Sequence, residues 1–152
     1  DLNLRARLAT AQAIYEACTT VGFFYVTNHM VSEQLQLALE SSAKLFFDLP
    51  LDSKLNISMD KGGRAWRGYF PPGGELTKGI PDGKEGIYFG ADLPADHPKV
   101  IARTPMHGSN LFPDADIPEM RNAVSEYMKE IKFLAESIME VIIPLQTQAE
   151  HE

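Results

Sequence analysis

The chain has 152 residues, of which 44% are hydrophobic, and this length and composition suffice for one globular domain with a buried core. Twenty-one acidic residues against fourteen basic ones give a net charge of −7, which argues against nucleic acid or an anionic membrane as a partner. No apolar run approaches the roughly 18 residues that cross a bilayer. The single cysteine, Cys18, excludes an intrachain disulfide and favours a reducing, cytoplasmic location, and we expect its thiol to be buried.

The first 27 residues predict a helix followed by a buried strand. An apolar stripe at three- and four-residue spacing predicts an amphipathic helix from about Leu2 to Thr20, and it consists of Leu4, Leu8, Ala11, Tyr15 and Cys18. Gly22 ends this helix. The run from Phe23 to Thr27 is aromatic and β-branched, which favours a short strand buried in the core.

A second helix is predicted from about Glu33 to Phe47. The hydroxyl of Ser32 can accept a hydrogen bond from the exposed amides of its first turn, and Pro50 marks its end. Residues 52–55 predict one further short turn of helix. The apolar face of the second helix is expected to contain Leu35, Leu39, Ser42, Ala43, Phe46 and Phe47.

Glycine and proline dominate the middle of the chain. Ten of the eleven glycines and seven of the ten prolines lie between Gly62 and Pro113, a density that excludes long helices. Only residues 87–89 predict a strand, with residues 57–59 as a weaker candidate. Irregular stretches of this length are uncommon inside a self-sufficient domain, so we expect this segment to pack against a structure that the chain does not contain.

A long helix is predicted to return order to the chain from Asp116 to Ile143. Asp116 can cap this helix, and Pro118 suits its first turn. Apolar residues then keep helical spacing over several turns. Pro144 weakens the helix, and residues 146–152 are expected to form a polar, irregular tail, which leaves residues 1–145 as the domain.

Three short segments have a composition that could suit a ligand site. Lys61, Arg64 and Arg67 alternate with small residues, and this pattern favours a solvated loop over an anion site. The segment 71–74 is rich in proline and glycine, but no Gly-Lys-Ser/Thr and no helix follow it, so it lacks the features of a phosphate-binding loop. The pair 84–85, Lys-Glu, is expected to be solvated or paired locally.

Several motifs occur in a fixed order along the chain. A helix ending in Ala-Cys leads to Gly-Phe-Phe, then to Asn-His, and then to a helix that exits through Phe-Phe-x-Leu-Pro before a lysine. These residues are Ala17, Cys18, Gly22, Phe23, Phe24, Asn28, His29, Phe46, Phe47, Leu49, Pro50 and Lys54. The segment resembles the N-terminal region of the non-haem Fe(II)- and 2-oxoglutarate-dependent dioxygenases, the family that includes isopenicillin N synthase. The resemblance continues through residues 67–69, 84–85 and 108–113 into the last helix.

Met30 is the one departure from the pattern, because the family usually carries glycine after the histidine. If this position has a positive φ, methionine costs about 1–2 kcal/mol there.

The resemblance implies a helix-rich α+β fold with two or three main helices, short strands and a long Gly/Pro-rich segment. This fold is the N-terminal cap of an enzyme whose double-stranded β-helix barrel is absent. In the family, the iron ligands His-x-Asp and a distal histidine, and the Arg-x-Ser that binds 2-oxoglutarate, lie on that barrel. Neither motif occurs here. Fe(II) and 2-oxoglutarate are therefore implied for the intact enzyme, with none bound by this chain, and His29 is expected to be a packing and hydrogen-bonding residue.

The best candidates for a functional surface are Trp66, Arg67, Tyr69 and Phe70. In the resembling enzymes this segment runs near the mouth of the active site. An aromatic wall with one guanidinium suits a planar or carboxylate-bearing small molecule, through stacking and bidentate hydrogen bonds. These four residues are therefore predicted to lie near the substrate. The alternative is that the aromatic residues only cover the barrel.

Two functions follow from the resemblance. In the first, the chain is the cap of a 2-oxoglutarate/Fe(II) oxidoreductase acting on small organic molecules, is inactive alone, and has the C-terminal barrel as its partner. In the alternative, it is a non-catalytic binding or regulatory module that uses the surface the barrel would cover. Since the chain starts at Asp1 without an initiator methionine, we expect it to be processed, trimmed or a fragment, although its polar ending also suits a genuine terminus.

Overall fold

The computed structural model describes the backbone of residues 2–149 and the side chains of residues 5–142. Its helices α1 to α6 are Leu2–Thr20, Glu33–Asp48, Leu51–Leu55, Met59–Gly62, Pro98–Ile101 and Pro118–Ala149. A 3-10 turn covers Gly63–Ala65, and strands β1 to β4 are Gly68–Phe70, Leu76–Thr77, Ile80–Pro81 and Gly86–Tyr88. The helix-rich composition with a few short strands is confirmed. None of the helices in the described range has both the length and the apolar composition of a membrane span.

The chain divides into two compact units. The first contains the described residues up to Gln36 and those from Ser125 onward, and the second is Leu37–Val124. All four strands belong to the second unit, where β1 pairs antiparallel with β4 and β2 pairs antiparallel with β3. The strand predicted at residues 87–89 is confirmed as β4, shifted by one residue.

Helix α2 and the short helix α3 agree closely with the prediction. The Ser32 Oγ accepts a 3.3 Å hydrogen bond from the Leu35 amide, which satisfies one of the free donors of the first turn. Helix α2 ends at Asp48, two residues before Pro50. Every residue of its predicted apolar face is buried or half-buried, whereas the neighbouring Leu37 and Leu45 are exposed. The helical periodicity therefore identified the correct face.

The core of the second unit is built from aromatic residues of distant segments. Phe46 and Tyr69 are almost fully buried and meet edge to face at 5.7 Å. Phe89 stacks on Phe112 with ring centroids 4.9 Å apart. Such pairs add roughly 0.5–1.5 kcal/mol to the stabilisation from burial. The segment after β4 has little regular secondary structure, and packing of its aromatic rings holds it in place.

The strand predicted at residues 23–27 is wrong. This run forms no regular secondary structure, and Phe23 and Tyr25 are 83% and 100% exposed. A strand requires a neighbour that shares its backbone hydrogen bonds, and no described residue supplies one. The weaker candidate at 57–59 is also wrong, because only Ser58 forms an isolated bridge, to Tyr69, and Met59 already begins α4.

Helix α1 is confirmed, but its predicted apolar stripe is not buried. Within the described part of that stripe only Ala11 is buried, while Leu8 and Tyr15 are exposed. The expected burial of Cys18 is wrong for the same reason, since the thiol side chain is exposed. An amphipathic pattern fixes which face is apolar, but not whether anything covers that face.

The long helix α6 differs from the prediction at both ends. It begins at Pro118, so Ile117 precedes it and Asp116 lies in the turn before it rather than at the capping position. It continues through Pro144 to Ala149, so the first part of the predicted irregular tail is helical. Pro144 removes one backbone donor near the end of the helix, and the helix continues beyond it to Ala149. Residues 150–152 of that tail lie outside the described residues.

Candidate functional site

An open cleft of about 590 Å³ lies in the second unit beside β1. Its lining comes from the α3–α4 region, from β1 and from the turn that follows it. The residues are Leu55, Ser58, Met59, Asp60, Gly63, Trp66, Tyr69, Phe70, Pro71, Gly74 and Glu75. A largely apolar concave wall with a few polar groups is the usual form of a small-molecule site.

Three of the four predicted site residues meet at this cleft. Trp66, Tyr69 and Phe70 all contribute to its wall. The Trp66 side chain is 54% exposed, and its backbone has the left-handed φ of +57°, an uncommon conformation for a bulky residue. Tyr69 and Phe70 are buried, so each contributes only a small area to the wall. The structure thus groups the aromatic residues as the resemblance implied, and their closeness to a substrate stays a prediction.

Arg67 does not line the cleft. Its side chain is buried, and its Nη1 and Nη2 donate to the carbonyls of Ala65 and Met106 at 2.7 and 3.2 Å. The Nε atom has no partner among the described atoms. Gly90 lies against the guanidinium so closely that an added Cβ would stand 2.7 Å from Nε. Arg67 therefore joins two loops inside the unit and does not face this cleft, and its closeness to a substrate stays a prediction.

A buried ion pair supports the wall of the cleft behind Tyr69. The Lys54 Nζ donates to Glu85 Oε2 at 2.8 Å and to the Phe47 carbonyl at 3.0 Å. The same Oε2 accepts a 2.6 Å hydrogen bond from the Tyr69 hydroxyl. Lys54 and then Tyr69 lower the pKa of Glu85, while burial, followed by Glu85, raises the pKa of Tyr69 to about 12. Glu85 is therefore ionised and Tyr69 neutral at physiological pH.

Lys84, the residue next to Glu85, belongs to a separate group of charged and polar side chains. Lys84 Nζ lies 3.3 Å from Glu75 and 3.4 Å from Asp82, and the Tyr88 hydroxyl donates to Glu75. The hydrogen bond from Tyr88 is the main cause that lowers the pKa of Glu75, an acidic residue of the cleft wall. Lys84 is exposed and pairs locally with Asp82, in line with the expectation, whereas Glu85 pairs with Lys54 and not with Lys84. No sequence signal marks these pairings.

The histidines at positions 29, 97 and 107, which the structure describes, form local backbone contacts. His29 Nδ1 accepts from the Val31 amide at 3.1 Å, which confirms its expected hydrogen-bonding role. His97 caps α5 by accepting from the Lys99 amide, and His107 Nδ1 lies 2.8 Å from the Pro105 carbonyl. Within the described side chains, no three His, Cys, Asp or Glu residues group as metal ligands would. These residues do not fit an Fe(II) site, and the buried Arg67 does not fit the carboxylate of 2-oxoglutarate, so we assign no iron chemistry to this chain.

Comparison with known proteins gives concordant results. The sequence model of the family described as "non-haem dioxygenase in morphine synthesis N-terminal" matches residues 1–115. A Dictyostelium discoideum protein named a probable iron/ascorbate oxidoreductase is 41% identical over 98% of this chain and 43% of its own length. A 2-oxoglutarate-dependent dioxygenase of Talaromyces stipitatus is 34% identical over 86% of this chain and 41% of its own length.

A solved structure agrees with these sequence relatives. The crystal structure of a Caulobacter crescentus protein, described as a 2OG-Fe(II) oxygenase family protein, superposes with a TM-score of 0.74 and 29% identity. The match covers 93% of this chain and 45% of that one, so the chain spans less than half the length of the relatives it matches. The resemblance inferred from the motifs is confirmed, and the chain belongs to the N-terminal domain family of the non-haem dioxygenases.

Proposed function

We propose that the chain is the N-terminal cap of an oxidoreductase that uses Fe(II) and 2-oxoglutarate to oxidise small organic molecules. The names of its relatives support this activity, and their greater length supports a catalytic part beyond the matched region. The metal and co-substrate ligands would lie on that C-terminal barrel, so residues 1–145 act as a packing domain and are inactive alone. A cytoplasmic location, for which the single cysteine is the support, belongs to the same proposal.

The observation that carries the proposal is the uncovered run from Phe23 to Thr27. Its backbone has no hydrogen-bonding partner among the described residues, and Phe23 and Tyr25 expose whole aromatic rings. Unpaired backbone beside exposed aromatic side chains is stabilised when a neighbouring strand pairs with it. A barrel strand would supply that neighbour. The aromatic wall formed by Trp66, Tyr69 and Phe70 would then contribute to substrate entry.

The test of inactivity is an anaerobic titration of the 152-residue chain with Fe(II) and 2-oxoglutarate. We expect no visible charge-transfer band and only loose iron binding, because the described residues do not group as metal ligands. A saturable band at one iron per chain would contradict the proposal. It would mean that side chains of this chain assemble a metal site.

The test of the cap role is a chimera that joins residues 1–145 to the remaining, C-terminal part of the Dictyostelium relative. We expect this chimera, supplied with Fe(II) and O2, to convert 2-oxoglutarate to succinate and CO2, whereas the chain alone does not. A Phe23→Ser, Tyr25→Ser chimera is the matched variant and should lose cooperative unfolding between the two parts. If the chain alone is monodisperse and has the same stability and solubility as it has when joined to the barrel, the non-catalytic alternative is favoured.

A further inference from the structure

A second cavity, of about 330 Å³, shares no lining residue with the aromatic cleft. Its polar lining consists of Lys61, Arg64, Arg103, Thr104, His107 and Ser109, and the described lining includes no aspartate or glutamate. The cavity lies in a chain with a net charge of −7, in which acids outnumber bases. Three permanent cations around one small concavity therefore stand out against the rest of the surface.

The cations of this cavity have no carboxylate partner among the described residues. Lys61 Nζ donates to the Asn56 carbonyl at 2.7 Å, and Arg64 uses its Nε on the Arg103 carbonyl at 2.9 Å. No described atom accepts from the terminal nitrogens of Arg64 or from the Arg103 guanidinium. By contrast, Lys54 and Arg121 each form an ion pair with a carboxylate. Like charges held together without an acid repel one another, and a bound anion relieves that repulsion.

The backbone holds the two arginines in place. The Arg64 Nε donates to the Arg103 carbonyl, and the Met106 amide donates back to the Arg64 carbonyl at 2.9 Å. Arg103 and Met106 both have the left-handed conformation, with φ of +54° and +66°. Non-glycine residues at positive φ cost free energy and tend to occur where a ligand or a switch requires them. The fold thus holds the Arg64 side chain against the backbone of Arg103, and the exposed guanidinium of Arg103 belongs to the same cavity lining.

We propose that this cavity binds a compact oxyanion carrying two or more negative charges, either a phosphate group or a short dicarboxylate. Guanidinium groups recognise both through paired N–H donors, while the ammonium of Lys61 adds a point charge. The hydroxyls of Thr104 and Ser109 are suited to a remaining oxygen. The sequence pattern favours a solvated loop because Lys61 and Arg64 alternate with small residues, and Arg103, 39 positions from Arg64, joins them only in the fold.

The test is calorimetric titration of the 152-residue chain with inorganic phosphate and, separately, with succinate, at constant ionic strength. We expect saturable binding at one site per chain for at least one of these anions. The comparison between them decides whether the site takes a phosphate or a dicarboxylate. If neither anion gives saturable heat, or if both only reproduce the effect of added chloride, the proposal is overturned.

A matched set of variants tests the assignment of residues. Arg103→Gly removes the guanidinium and relieves the left-handed strain, so it should fold at least as well as the parent and bind at least about tenfold more weakly. Lys99→Gln removes a charge from α5 outside the lining and should keep the parent affinity. Unchanged binding in Arg103→Gly contradicts the proposal. If Arg103→Gly fails to fold, Lys61→Gln replaces it: weaker anion binding supports the proposal and unchanged binding contradicts it.

Discussion

The ammonium of Lys54 lies 2.8 Å from Oε2 of Glu85, a residue 31 positions later in the chain. Because that oxygen also accepts from Tyr69, and Lys54 also donates to Phe47, one carboxylate connects the end of α2, helix α3, strand β1 and the segment before β4. The side chain of Lys54 is only 9% exposed. The wall of the aromatic cleft therefore depends on a charge pair that water reaches poorly.

Glu85→Gln should destabilise the chain strongly. The substitution leaves the Lys54 ammonium buried without a counter-charge, at a cost of about 2–3 kcal/mol in unfolding free energy, less than for a fully buried pair because Glu85 is partly exposed. Urea unfolding followed by circular dichroism measures this. The control is Glu40→Gln, which breaks the exposed pair with Lys44 on α2 and should leave the midpoint unchanged. Equal effects of the two substitutions would contradict the structural account.

Alkaline pH should weaken the fold through Tyr69. The pKa of this phenol is about 12 in the folded chain against an ordinary value of 10, so the folded state holds the proton more tightly than the unfolded state. The resulting stabilisation is complete below pH 10 and is lost as the pH rises to about 12. Unfolding free energies measured across this range should fall more steeply for the parent than for Tyr69→Phe. Parallel curves would show that Tyr69 does not carry the effect.

Gly90→Ala should disrupt the packing around the Arg67 guanidinium. A methyl group at this position would collide with the guanidinium, which is buried and bonded to two carbonyls, so overpacking should cost about 1–3 kcal/mol. Thermal unfolding compares this variant with Gly83→Ala, whose added Cβ has no atom within 4 Å. Gly83→Ala should melt at or slightly above the parent temperature. Tolerance of alanine at position 90 would mean that Arg67 is not held where the structure has it.

Met30→Gly should stabilise the chain. Met30 has a φ of +61° and a side chain that is 92% exposed, so glycine removes backbone strain at almost no cost in packing. The expected gain is up to about 1 kcal/mol, since the greater freedom of unfolded glycine offsets part of the relief. Met30→Ala is the control, because it removes the same side chain but keeps the Cβ and the strain. A gain for alanine equal to that for glycine would contradict this explanation.

The sequence determined the features that depend on neighbouring residues. Helical spacing and the Ser32 cap located α2 and its buried face, and the density of glycine and proline predicted the irregular middle. The motif comparison singled out Met30, and the structure gives it the positive φ that the family's glycine suggested. These signals act over a few residues, where capping, periodicity and φ preferences outweigh tertiary packing.

Only the tertiary structure decided which side chains meet and which faces are covered. Lys54 with Glu85, and Arg64 with Arg103, are joined across 31 and 39 positions, and no local preference encodes such pairs. The burial of Arg67 likewise depends on loops from distant parts of the chain. The run from Phe23 to Thr27 has the composition of a strand but no neighbour, because a strand's hydrogen bonds belong to two segments and a sequence pattern describes only one of them.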